Sequence, residues 1–372
     1  MSLVSNQDVV VKEEKPEVTL AQILNVPDFV ENYLDIDTRL RLRKTCFNIR
    51  KIINEKLLNI DCLTYKFEGR FTEISTNGDF KVSYEIIEGG LRVKYWDKEK
   101  VINTDDEEDQ AEIIQRHFMS IFGHEKLRID TLRIEDRSGS RSRIGKRTLR
   151  RTLNELFNKL KIRNLEYYTV VIDSFLVVLL RTIDPEHLKF LQIDMHTLLE
   201  NKEMFYGDLY DLEEWKRLKS LNFDGMLKFS EIISDFTHFE NAYLVIYGSQ
   251  WYDRYNLSDL PLHTFVMELK DKLLQNPNLK QHQLKIRMHR EDSDIEDIKA
   301  SLQQYNTDNA PFPCWISIPY PDSDKKLEML VDKEFISNNL IIWFKGPCYV
   351  KGEWEEDSSD EEDKDDSNDE EE

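Results

Sequence analysis

The sequence predicts a mixed α+β / α/β chain, and three observations predict it. A helical apolar period gives way to a strand period near residue 62. Short apolar triplets then recur between amphipathic helices, and negative charge is concentrated at one end. The chain has 372 residues, with 51 Lys+Arg against 72 Asp+Glu and a formal charge of −21. That length accommodates two or three cores, and 40% hydrophobic with 11% aromatic residues gives most of it enough apolar surface to fold. Residues 353–372 hold fourteen acids and one lysine; removing them from 72 and 51 leaves 58 and 50, so the body carries only −8. A mildly acidic body argues against a long electropositive groove for a nucleic-acid backbone.

Residues 1–18 are polar and charged and are expected to be disordered. Residues 19–58 read as helices: Leu40, Leu42, Cys46, Ile49 and Ile53 recur mostly at three- and four-residue steps among arginines. Residues 59–110 read as a small antiparallel meander and an acidic loop. The runs Leu63–Phe67, Phe80–Ile86 and Leu91–Tyr95 alternate, with Asn77-Gly78 and Gly89-Gly90 as turns, and the acidic run Asp105–Asp109 is expected to be a solvated loop.

Residues 111–350 alternate strand and helix. Helices are predicted at Ile114/Phe118/Ile121/Phe122, Leu149/Leu153/Leu156/Phe157/Leu160, Leu262/Phe265/Val266/Leu269/Leu273 and Ile295/Ile298/Leu302, the last opening on Ser293 answered by Glu296. Strand cores are predicted at Leu132–Ile134, Val170–Ile172, Leu191–Ile193, Leu221–Phe223, Leu244–Ile246 and Leu284–Ile286. Two read almost as copies, HLKFLQIDM (187–195) and RLKSLNFDG (217–225). One apolar triplet per unit fits an irregular leucine-rich-repeat-like array, closed by strands at 314–319, 326–331 and 340–345. A doubly wound nucleotide-binding sheet would alternate in the same way, but the Gly-rich strand-to-helix turn it requires is absent from the sequence. Residues 351–372 read as an acidic tail that self-repulsion is expected to keep disordered. Ser358, Ser359 and Ser367 in the tail each have an acid three residues on, the context of acidophilic kinases.

Catalysis has no signature here. The sequence lacks an i, i+4 histidine pair, a G-x-S-x-G turn and a phosphate loop, so neither an enzymatic activity nor a metal or cofactor is expected. The acids Asp292, Asp294, Glu296 and Asp297 lack the mid-loop glycine of a calcium site and read as a helix N-terminus. Cys46, Cys62, Cys314 and Cys348 are too scattered for a disulfide scaffold and read as reduced, mostly buried thiols. The N-terminus has no secretory character. The longest nearly uncharged stretch, Tyr167–Leu180, is too short for a bilayer, so a cytoplasmic or nuclear location is expected. The segment 137–151 carries seven basic side chains and no acid. It reads as a loop entering a helix with a solvated basic face, as an import or docking signal, or as a loose contact for the tail.

The segment LNVPDFVENYLDIDTRLRLRKTCFNIRKII (24–53) resembles an F-box: a proline-led first helix (Val26-Pro27, Val30, Leu34), an acidic junction, then the Leu/Arg-rich stretch 39–46 and Arg50. A helical hairpin of about 40 residues has too small a core to cover its own apolar face, which suits burial against a partner; docking on the following domain is the alternative. A second resemblance covers about 165–345. TIDPEHLKFLQIDM (182–195), DLEEWKRLKSLNFDG (211–225) and SDFTHFENAYLVI (234–246) look like the FTH domain of nematode F-box proteins, with Trp215, Lys216, Lys219, Phe236, His238 and Phe239 at its marked positions. His238 is expected to be structural, bonded at a helix end.

These resemblances imply a substrate-receptor subunit of a Skp–cullin–F-box ubiquitin ligase, non-catalytic and acting by proximity. Val26, Pro27, Val30, Leu34, Leu40, Leu42 and Cys46 would meet the Skp-type adaptor, and through it cullin. For the target, strand alternation that turns Leu191/Ile193 and Leu221/Phe223 inward turns Gln192, Asp194, Asn222 and Asp224 outward, with Tyr243, Tyr247, Lys285, Arg287 and His289 on the same side. Two alternatives stand: an acidic-tailed binder of basic, histone-like proteins, and an F-box scaffold without ubiquitination.

Overall fold

The computed structural model describes residues 18–78, 80–137, 144–170, 172–195, 207–247, 260–287, 293–306, 310–321, 323–334 and 339–351. The predicted disordered ends lie outside this set, apart from Val18 and Lys351. The chain divides into two compact units, residues 1–188 with 201–209, and residues 189–200 with 210–372. Both are mixed α/β. No described helix is long and apolar enough to cross a membrane.

The first unit opens with four short helices, α1 (Leu20–Leu24), α2 (Phe29–Tyr33), α3 (Ile36–Leu42) and α4 (Phe47–Glu55). Thr19 and Gln22 cap α1 reciprocally, and Asp35 caps α3 by accepting from the Thr38 N–H at 2.6 Å. Leu24, Val30, Ile49 and Ile53 form their common core. Five strands follow as a meander: β1 (Leu58–Glu68), β2 (Phe71–Thr76), β3 (Lys81–Ile87), β4 (Gly90–Tyr95) and β5 (Lys98–Asn103), each antiparallel to the next. Gly89 takes φ +75°, and a Cβ on Gly90 would lie 2.5 Å from the Ile102 carbonyl oxygen, so this turn needs both glycines. The sequence reading overlooked β2 and β5. Asn77-Gly78 in fact joins β2 to β3, and the β4–β5 hairpin turns at Trp96 (φ 56°), a residue with no turn preference.

Helix α5 (Glu107–Phe122) begins inside the acidic run expected to be a loop. Asp106 accepts from the Glu108 and Asp109 N–H groups at 2.8 and 2.9 Å, and the acids that follow complement the helix dipole. Then come β6 (Leu127–Asp136), α6 (Ile144–Asn154), β7 (Lys161–Thr169) and α7 (Ser174–Thr182). β6 runs parallel between β1 and β7, giving the order β7-β6-β1-β2-β3-β4-β5. The strand expected at Val170–Ile172 lies earlier. Its inward residues are Ile162, Leu165, Tyr167 and Thr169, the last two of which disguise the alternation, while the apolar run beyond Asp173 is the buried helix α7. The helix predicted through Leu160 stops at Asn154, leaving Phe157 fully exposed and Leu160 bridged to Ile183.

The basic segment finds its partners at home. Arg147 and Arg151 both pair with Glu108 of α5, Arg137 pairs with Glu135 at 2.9 Å, and Lys146 Nζ lies 2.8 Å from both Asp136 and Asp173. Residues 138–143 lie outside the described set. The four cysteines are free, but only Cys62 is buried. Cys46 and Cys348 are exposed because the first precedes α4 and the second sits in the turn after the last strand, which corrects the expectation of mostly buried thiols.

After α8 (Gly207–Tyr210), the second unit carries α9 (Glu213–Arg217), α10 (Phe229–Asp235), α11 (Leu262–Leu273) and α12 (Ser293–Leu302). Its strands are β8 (Phe190–Met195), β9 (Ser220–Gly225), β10 (Asn241–Tyr247), β11 (Gln281–Arg287), β12 (Ile316–Pro319), β13 (Lys326–Lys333) and β14 (Asn339–Lys345). β8 to β11 are parallel, each beside the next in sequence, and β14, β13 and β12 extend the sheet antiparallel from β11. Alternate residues Leu191, Ile193, Leu221, Phe223, Leu244, Ile246, Leu284, Ile286, Leu340 and Ile342 are buried. This is the period-2 burial of a sheet with one covered face.

Candidate protein-interaction surfaces

In the N-terminal helices the described contacts separate residues that build the module from residues that reach solvent. Arg39 is buried and donates from Nε to the Leu34 carbonyl (2.8 Å), from Nη1 to that of Leu57 (2.8 Å) and from Nη2 to that of Glu31 (3.0 Å). One guanidinium thus ties the end of α2 to the chain entering β1. Burial pulls Arg39 below its ordinary range, against the opposing pull of Glu31 and Asp35. Arg43 donates to the Ser120 carbonyl of α5, and the Tyr95 hydroxyl donates to Asp37, which also pairs with Arg41 at 2.8 Å. Leu40 faces a cleft of about 210 Å³ lined by Ile74, Phe80, Val82 and Tyr84 of the meander and by Ile121 of α5.

Of the seven positions expected to meet an adaptor, Val30 and Leu40 are therefore interior and Leu34 and Leu42 are half-buried, while Val26, Pro27 and Cys46 are exposed. Four more large apolar side chains reach solvent: Leu20 (48%), Ile23 (37%), Tyr33 (76%) and Phe47 (76%). Leu20 and Ile23 lie one turn apart on α1, and Tyr33 stacks on Phe29 with centroids 5.7 Å apart. Sequence reasoning missed them because it anchored on the F-box-like proline and leucines. The usable signal was the T-x-x-Q capping pair, which fixes where α1 starts.

In the second unit the strand register brings the predicted target residues onto one face. Gln192 sits opposite Asn222, and Asn222 opposite Tyr243; the neighbouring row runs Asp194, Asp224, Val245, Lys285. All of these are half-buried except Val245, an apolar centre that the sequence did not flag. Arg287 reaches past β10 to Asp224 (3.1 Å), and Lys285 pairs with Glu334 (3.0 Å), so the face is internally charge-balanced. β14 and β13 extend it with Trp343 opposite Gln283 and Leu330 opposite Trp343. Those two had no register in the sequence reading. His289 and the side chain of Tyr247 lie outside the described residues.

Beneath the opposite, covered face, the marked aromatic residues form one cluster. Trp215 packs edge-on against Phe236 and Phe239, each 5.3 Å between centroids, and its indole N–H donates to the Asp235 carbonyl at 3.2 Å. His238 Nε2 bonds the Trp215 carbonyl at 3.1 Å, near the end of α9, as expected of a structural histidine. Burial lowers His238, so it is neutral near neutral pH. His282 is completely buried, with no well-formed hydrogen bond to either ring nitrogen among the described residues; burial pushes it down to about 4, against weak help from the Phe236 backbone.

A family comparison covers the whole of this cluster. Residues 146–304 match the FTH domain. The matched segment begins inside α6 and ends just past α12, before β12. No curated protein matches the sequence. Among solved structures, a SAM-dependent O-methyltransferase from Thermotoga maritima aligns at 11% identity over 76% of this chain and 94% of that one, with a TM-score of 0.18, too loose a superposition to carry an argument.

Proposed function

We propose that this chain is the substrate-receptor subunit of a Skp–cullin–F-box ubiquitin ligase. The FTH match carries the reading, because FTH is an F-box-associated domain family and the helices upstream of it carry the F-box-like segment. Burial supports a division of roles among the helical residues. Val30 and Leu40 build and seat the helical module, and the adaptor contact falls to the exposed Leu20, Ile23, Val26 and Pro27. Apolar side chains of this size gathered on α1 and the turn after it are costly to leave in water and are the kind an interface buries. The target face is the open side of the second unit's sheet, a half-buried polar and aromatic surface of the type that recognises protein. The chain does no chemistry of its own: tethering raises the local concentration of target lysines near the conjugating enzyme.

Affinity purification from cells followed by mass spectrometry tests this. The full chain should recover a Skp-type adaptor and a cullin, and Ile23→Asp/Val26→Asp should lose both while keeping the target. Recovery of a target without any adaptor would overturn the reading in favour of a non-degradative binder. The −13 charge of residues 353–372 favours that second reading for basic partners; it predicts that tail deletion abolishes capture, whereas a receptor keeps its adaptor.

A further inference from the structure

At the end of β14 the side chain of Lys345 is walled by three aromatic rings. Its Nζ lies 4.3 Å from the Trp315 ring centroid, 4.3 Å from that of Trp343 and 4.6 Å from that of Tyr349. The walls are steeply inclined to one another, with interplanar angles of 62° between Trp315 and Trp343 and 87° between Trp343 and Tyr349. This is a box, not a chance stack, and the backbone builds it. Beyond Lys345 the chain turns at Gly346, whose N–H donates to the Lys280 carbonyl at 2.8 Å and where a Cβ would lie 2.2 Å from the Leu279 carbonyl oxygen. The Cys348 N–H bonds the same Leu279 carbonyl at 3.2 Å, which brings Tyr349 back over the lysine.

Two features mark the box as made for a cation that it can exchange. Glu328 is the Cα partner of Lys345 across the strand pair, the natural place for an ion pair, yet among the described residues Lys345 forms none. It faces the rings instead. The Trp343 indole N–H is buried without an acceptor among the described residues, a donor that an incoming peptide carbonyl could satisfy. An unmodified ammonium is strongly hydrated and gives up that water reluctantly, whereas a trimethylammonium group is weakly hydrated and fits an aromatic box of this kind.

We infer that Trp315, Trp343 and Tyr349 form a recognition cage for a trimethylated lysine of a partner protein, which Lys345 occupies in its absence as a built-in competitor. A lysine is the favoured occupant because a lysine side chain already fits the cage. Trp315 is 41% exposed and gives the entrance. The inference does not depend on the ubiquitin-ligase reading, since it concerns binding by the isolated chain.

The test titrates the purified full chain and Lys345→Ala with a short peptide bearing one trimethyl-lysine, with its unmethylated counterpart, and with phosphatidylcholine vesicles, following tryptophan fluorescence. Lys345→Ala should bind the trimethylated peptide about tenfold tighter than the unchanged chain does, and about tenfold tighter than it binds the unmethylated peptide. Trp315→Ala added to it should abolish the preference. Equal affinity for both peptides, or no peptide binding by folded Lys345→Ala, overturns the proposal, as does vesicle binding without peptide binding. Should Lys345→Ala not fold, tetramethylammonium chloride titrated into the unchanged chain decides: a saturable fluorescence change lost in Trp315→Ala supports the cage, and no change refutes it.

Discussion

The N-terminal helices and the sheet of the second unit were read from the same kind of pattern, apolar residues at regular spacing, and they came out differently. On β8 to β11 the alternation put Leu191, Ile193, Leu221 and Phe223 inward and Gln192, Asp194, Asn222 and Asp224 outward, and burial follows that division residue by residue. Among the helices Val30 and Leu40 turn inward, whereas Leu20, Ile23 and Val26 turn out. The difference is one of periodicity. A strand has two faces, and four neighbouring strands in register must agree on which is covered. Helices α1 and α2 have five residues each, fewer than two turns, so no periodic stripe exists to say which side is greasy.

The comparison can be broken first at the sheet, where the largest effect lies. Phe223→Ala should lower unfolding free energy by about 3–5 kcal/mol, because it empties a fully covered site, while Asn222→Ala next to it should change stability by less than about 0.5 kcal/mol. Denaturant unfolding of the two variants measures this, and similar losses would mean that the faces are not distinct.

The same contrast applied to the helices separates seat from ledge. Leu40→Ala should cost about 2–4 kcal/mol, since its side chain is interior and faces the meander, whereas Val26→Ala should leave stability within about 0.5 kcal/mol. A double change at Leu40 and Leu42 is thus a poor probe of adaptor binding, because lost binding would report lost structure.

A third effect follows from His282. Its value in the folded chain, about 4, lies below the ordinary 6.5, so the unfolded chain binds the extra proton first as pH falls. Stability should be full above about pH 6.5 and decline progressively toward pH 4, by up to about 3 kcal/mol from this group. Urea unfolding at pH 7 and pH 5 should show the decline, and His282→Gln should make it shallower. His124 in the first unit, also pushed to about 4 by burial and then by Arg43, adds a slope of the same sign that the substitution leaves in place. The smallest effect belongs to the surface: Arg287→Ala breaks a half-exposed pair with Asp224 and should cost only about 0.2–1 kcal/mol, less at high salt.

Much of the fold was legible because strands and long helices repeat their pattern often enough to be read. β8 to β11, β13, β14, α5 and α11 stand where alternation or helical spacing put them. What escaped has local physical reasons. The turn at Trp96 uses a left-handed tryptophan instead of glycine, β7 buries Tyr167 and Thr169, and the acids at 105–109 cap a helix instead of filling a loop. For the candidate surfaces, the shared polar face of β8 to β11 was readable from period alone. The aromatic cage was not, because Trp315, Trp343 and Tyr349 meet only through the pairing of β12 with β13 and of β13 with β14, and the turn at Gly346.

The most direct measurement is a calorimetric titration of the purified chain with a purified Skp-type adaptor, beside the Ile23→Asp/Val26→Asp variant. The account predicts saturable one-to-one binding by the unchanged chain and none by the variant, with the two unfolding at the same denaturant concentration. No heat of binding from the unchanged chain, or undiminished binding by the folded variant, would contradict it.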